Sequence, residues 1–364
     1  MNRFHGVLTA AVLAAGVGLT SAAYAQAPQA SPNNRGQGQG PGQNQGQGQG
    51  QQQVNLPPAL QAAVLTGNPQ AVQQAINTLS GGNPQQAGNL ASQVVRAAEQ
   101  MLNTNPQAAI RAAAAAVETV KNTTVQTSSP QQTESVVTTA ARIFVNPNAQ
   151  RVAPESVAQL ATAAVQVAVA TGNPTLTANT ANQAVSAAEK ILSVAPAAAV
   201  QVAAAAVQSV KEIPVMQGAP QTTMQVVTTA ARIIVQPEAQ RVAPQTVASI
   251  AATTVQVVSN PTVYQSVPGA AVTVMDNAYK AATSQTVSAV VPSAEGVLRR
   301  ELLQIAQAPA LNAGVPVDTI LKGNTPDTQQ PPQQTGGPVN PPNNNERLAE
   351  VVKEENKTKQ GSGN

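Results

Sequence analysis

The chain has 364 residues, with 19 Lys and Arg against 16 Asp and Glu, no cysteine, no tryptophan and one histidine. Lacking cysteine, it has neither a disulfide framework nor a lipidated-cysteine anchor. Its formal charge of +3 with almost no aromatic rings lacks the clustered basic field and stacking platforms that nucleic-acid binding uses. Its apolar residues are almost wholly Ala and Val, with some Leu and Ile, so each side chain buries little area and stability has to be spread over many similar contacts.

At the start, Arg3 precedes an apolar run from Val7 to Leu19 that ends in Ala23-Tyr24-Ala25. A short basic end, an apolar core too short to span a bilayer and an A-x-A site describe a secretory signal peptide over residues 1–25. The expectation is cleavage before Gln26 and export to the periplasm, cell surface or medium, with no membrane-spanning segment in the mature chain. Cleavage also removes His5, the single histidine, and leaves Phe144, Tyr264 and Tyr279 as the aromatic residues. Histidine is the usual general base near neutral pH and the commonest metal ligand, so His-based triads and metal sites are excluded. Carboxylates, lysines and hydroxyls remain for chemistry, and no phosphate loop, dinucleotide fingerprint, calcium loop or zinc spacing calls for a cofactor.

Residues 26–53 are Gln, Gly, Pro and Asn, a composition that cannot bury enough apolar surface to offset the entropy of ordering, and so reads as a disordered arm. Residues 324–364 read as a second disordered arm, ending in the charged piece Glu346 to Lys359. Between them, residues 54–81 read as an N-terminal helical hairpin.

The run VVTTAARIFVNPNAQRVAP, Val136 to Pro154, returns as VVTTAARIIVQPEAQRVAP from Val226 to Pro244. Extending that register without gaps, residues 82–171 and 172–261 agree at about half of their positions, the mark of a tandem unit. Each copy opens on Gly-Asn-Pro, turn punctuation with proline suited to the first turn of a helix. In the first copy four segments carry helical stripes, over 85–102, 107–121, 131–145 and 155–169. The third sets Val136, Val137, Ala140, Ala141 and Phe144 against Thr138, Thr139 and Arg142. Four helices in such a unit make two hairpins of roughly 45 residues. In this reading Asn146-Pro147 ends one helix and Pro154 begins the next, so the longest shared run is a hairpin corner. Residues 262–323 read as capping helices, the last supported by a Glu295–Arg299 ion pair. The fold class expected is all-α, tandem helical-hairpin repeats of α-solenoid type. Strand-like alternation over Val165–Val169 leaves a β-rich surface protein as the structural alternative.

The charged residues placed equivalently in both copies are Glu99 and Glu189, Lys121 and Lys211, Arg142 and Arg232, and Arg151 and Arg241. They either solvate helix faces and pair with a neighbouring hairpin, or form a ladder for an acidic partner. Arg142, Arg151, Arg232 and Arg241 are the candidate interaction surface. Glu118, Glu134 and Glu155 occur in the first copy alone, and their spacing selects no catalytic pair. The expected role is an exported, non-enzymatic structural or binding scaffold. Its partners would be an envelope or matrix protein or polymer, a second copy of the chain included, and not nucleic acid. A carboxylate-dependent enzyme on cell-wall polymer or glycan and a self-assembling surface fibre are the alternatives.

Overall fold

The computed structural model describes residues 55–308 and 317–321; the signal peptide, the Gln-rich arm and the 324–364 tail of the sequence reading lie outside the described residues. The described chain is all-α, and no strand occurs among its residues. Val165–Val169, which alternates like a strand, lies inside a helix whose inner face buries Val165, Val167 and Ala168.

Helices α1 (Pro58–Thr66) and α2 (Pro69–Ser80) form the first pair, packed on α3 and α4 of the two layers that follow. One layer holds α3 (Pro84–Met101), α6 (Pro130–Phe144), α9 (Pro174–Ile191), α12 (Pro220–Ile234) and α16 (Pro268–Thr283), each packed on the one before. The second layer holds α4 (Pro106–Val120), α8 (Pro154–Ala170), α10 (Pro196–Val210), α14 (Pro244–Val258) and α18 (Ser293–Gln307), stacked likewise. The chain crosses between layers at every step. Neighbours within a layer run parallel, because residues at matching depths meet. Ser92 of α3 faces Ser135 of α6 at 3.4 Å, and Gln208 of α10 donates to Thr253 of α14 at 3.3 Å. A parallel stack brings all corners of one crossing direction to one edge. A last short helix, α19 (Val317–Leu321), packs on α16 and α18.

Proline and asparagine explain where these helices start. Nearly every long helix has proline in its first turn, where the missing amide hydrogen has no intrahelical role. Asn68, Asn83, Asn105 and Asn173 cap helix starts by accepting from the freed amides, as Asn83 does from Gln85 N at 2.9 Å.

The sequence stripes place the long helices within a residue of their observed ends, but the corners differ from the expectation. Six of them contain a helix of their own: α5 (Thr123–Ser128), α7 (Pro147–Val152), α11 (Ile213–Gly218), α13 (Pro237–Val242), α15 (Pro261–Ser266) and α17 (Gln285–Val290). Asn146-Pro147 therefore starts a helix as well as ending one. Each short helix buries the same position, Val125, Ala149, Val215, Ala239, Val263 or Val287. Each then stops at a residue in extended φ, such as Ala153 at φ −145° and ψ 63°, because the proline that follows disfavours helix there. With these corners, helix-starting prolines fall 24 residues apart at Pro106, Pro130 and Pro154, and again at Pro196, Pro220, Pro244, Pro268 and Pro292.

The core between the layers is small-chained. In α4 it buries Ala108, Ala109, Ala112, Ala113, Ala115 and Ala116, which lets helix backbones approach closely, and Phe144 is the largest side chain fully inside it. At the α1–α2 corner Gly67 has φ 62°, and a Cβ there would stand 2.6 Å from the Ala108 Cα. In the capping helices Glu295 makes no ion pair with Arg299. Its Oε1 accepts instead from the Tyr279 hydroxyl at 3.5 Å.

Candidate functional site

The four candidate arginines separate into two kinds. Arg142, near the end of α6, donates Nε and Nη2 to Oε1 and Oε2 of Glu99 on α3, at 2.6 and 3.0 Å, and Nη2 also reaches Thr139 Oγ1 at 3.2 Å. The Glu99 hydrogen bond holds the Arg142 guanidinium above its ordinary pKa against the opposing effect of burial. Arg232 repeats the fork on Glu189 at 2.9 and 3.1 Å, with Thr229 as third partner. Both pairs tie adjacent parallel helices together, with planar bidentate geometry that only arginine offers.

Arg151 and Arg241 sit on α7 and α13 at equivalent corners of one edge. Both are exposed, and neither makes an ion pair among the described residues. The next residues, Val152 and Val242, are 53% and 45% exposed. The preceding residues, Gln150 and Gln240, point inward and are buried. Gln150 Nε2 donates to Phe144 O at 3.0 Å, and Gln240 Nε2 to Ile234 O at 3.1 Å, so each satisfies a carbonyl left open at the end of the long helix before it. These glutamines escaped the search for charged sites, although their recurrence in both copies marks them. Of the lysines, Lys121 pairs with Glu118 at 3.5 Å, while Lys211 stands at the end of α10.

Two shallow grooves run along the layers. The first lies between α3 and α6 and is lined by Arg96, Gln131, Glu134, Ser135, Thr138, Thr139 and Arg142, with a volume of about 520 Å³. The second lies between α8 and α10, with an alanine floor that includes Ala163 and Ala197 and glutamines Gln159, Gln166 and Gln201 beside Glu155. Glu134 and Glu155 thus belong to different grooves in different layers, and Glu118 lines neither. Glu134 Oε1 accepts from Asn173 Nδ2 at 3.1 Å. Among the described residues no group of three His, Cys, Asp or Glu could hold a metal ion, and no helix is long and apolar enough to cross a membrane.

Compared with protein-family models, curated proteins and solved structures, the chain has no match.

Proposed function

We propose that the chain is an exported, non-enzymatic scaffold built as a tandem helical-hairpin array of α-solenoid type, binding an envelope or matrix component along the corner edge that carries Arg151 and Arg241. The observation behind this reading is the division of labour inside one recurring corner. In NAQRVAP and EAQRVAP the glutamine is buried and seals a helix end, while the arginine and valine beside it are exposed in both copies. A purely architectural duplication accounts for Gln150, Arg142 and Glu99, which have partners. It leaves the exposed Arg151 and Arg241 without an ion pair among the described residues, and an arginine in that position suits contact with a partner. Export rests on the sequence of residues 1–25. The two separate carboxylate grooves favour a scaffold over a glycosidase, whose acids face each other across one cleft.

Fractionation of the native cells tests this. The reading predicts a chain beginning at Gln26 that sediments with the envelope, and a variant with Arg151, Val152, Arg241 and Val242 all changed to Ser that is processed alike but released to the soluble exported fraction. An uncleaved chain in the cytoplasm, or a variant retained as strongly as the wild type, contradicts it.

A further inference from the structure

Beside the α3–α6 groove two small residues, Ser92 and Ser135, face each other across the helix interface at 3.4 Å. At the equivalent place in the second copy stand the larger Asn182 and Gln225, whose side chains bridge α9 and α12 at 3.2 Å. The flanking charges change as well. Arg96 is replaced by Ser186, and Glu134 by Met224, which is buried. The Arg–Glu fork next to the groove is retained in both copies, so the fold does not require the difference.

What the first copy gains is a polar trough with separated opposite charges. Arg96 is exposed and makes no ion pair among the described residues, where its Nη2 reaches Ser135 Oγ at 3.5 Å. Glu134 is half-buried, with Oε1 held by Asn173 and the carboxylate otherwise facing the groove it lines. The same lining holds the Ser135 and Thr138 hydroxyls and the Gln131 amide, while the Thr139 hydroxyl is buried and accepts from Arg142. A guanidinium without a carboxylate partner takes a carboxylate. A carboxylate and a row of hydroxyls and amides take hydroxyl groups. A dianionic phosphate would also face the Glu134 carboxylate, and a free amino acid would leave the Ser135 and Thr138 hydroxyls unused.

We propose that this groove binds a carboxylated saccharide, with Arg96 pairing the sugar carboxylate, Glu134 accepting from a ring hydroxyl, and Ser135 and Thr138 contacting the sugar's other hydroxyls. This deepens the scaffold reading by naming a ligand class for one surface of the array. The second copy supplies the variants that test it. Ser92→Asn with Ser135→Gln installs the larger side chains that bridge α9 and α12 at the equivalent place, and Arg96→Ser installs that copy's residue. The full chain is titrated with tri-galacturonate and, separately, with the neutral maltotriose, by calorimetry and by NMR. Expected is saturable binding of tri-galacturonate, at least tenfold weaker maltotriose binding, and a tenfold or greater loss of tri-galacturonate affinity in both variants, with an unchanged thermal midpoint. No saturable binding up to about 20 mM overturns the proposal. So does equal affinity for the neutral sugar, or full affinity in the Ser92→Asn, Ser135→Gln variant. Cytoplasmic retention would defeat the export reading without touching this result, and absent sugar binding would leave the exported scaffold standing.

Discussion

Gln150 reaches six residues back to place its side-chain amide 3.0 Å from the Phe144 carbonyl oxygen, and both residues are buried. The bond joins a short corner helix to the end of the long helix it follows, and Gln240 with Ile234 does the same in the second copy. Gln150→Ala leaves a buried carbonyl without its partner, at a cost of about 1–3 kcal/mol. Gln240→Ala should cost at least as much, because the Gln240 amide serves both Ile234 O and Val235 O and its loss leaves two carbonyls without that partner. Urea denaturation of both variants measures the difference.

The Arg142–Glu99 fork is well aligned but solvated, with side chains 54% and 33% exposed. Exposed pairs contribute little, so a double-mutant cycle of Arg142→Ala and Glu99→Ala should give a coupling of about 0.5–1 kcal/mol that shrinks in high salt. A coupling several times larger would mean that the pair is shielded from water. Charge reversal of both residues should restore less than the wild-type value, since lysine or a shifted arginine cannot rebuild the fork.

Phe144 and Ile234 occupy equivalent core positions. Phe144→Ile should therefore be accommodated at about 1.5 kcal/mol or less, whereas Phe144→Ala opens a cavity and costs about 3–5 kcal/mol. Thermal melts of the two variants distinguish a shape-tolerant core from one built around the ring.

Gly67 combines a left-handed backbone with a close approach to the start of α4. Gly67→Ala meets both obstacles, and the contacted Ala108 Cα is backbone that cannot step aside, so a loss of about 2–3 kcal/mol is expected. Gly82→Ala is the control. It has φ 79° and open space around the position, so it should suffer the backbone cost alone, about 1 kcal/mol.

How far these features were legible in the chain depends on their length scale. The long helices declare themselves because a helix of fifteen residues or so repeats its apolar stripe several times and starts at a proline; the stripe over 131–145 predicts the helix that stands at Pro130–Phe144. A six-residue helix such as Pro147–Val152 shows one buried alanine and one buried glutamine, too few positions for any period, and its prolines look like breaks. The 24-residue spacing was hidden inside the ninety-residue copy because the α3–α4, α8–α9 and α9–α10 corners lack a short helix. For the site, recurrence singled out four arginines but could not say which had partners. Glu99 lies 43 residues from Arg142, and only the parallel stacking of α3 on α6 brings them together. The α3–α6 groove was illegible for a related reason: its lining comes from two helices that meet only once they are stacked.

The central claim is the parallel stacking of equivalent helices in both copies, and a chain without cysteine allows a clean test. Cysteine pairs are introduced at Ser92 with Ser135 and, separately, at Asn182 with Gln225, and disulfide yield is measured by mass spectrometry after mild oxidation of the folded protein. Parallel stacking sets both pairs across adjacent helices, with the Ser92 and Ser135 hydroxyls 3.4 Å apart, and the account predicts intramolecular disulfides in both variants, in higher yield for the Ser92–Ser135 pair, with helical content retained. Folded, helical protein whose thiols stay reduced, or that cross-links only between molecules, would contradict the stack.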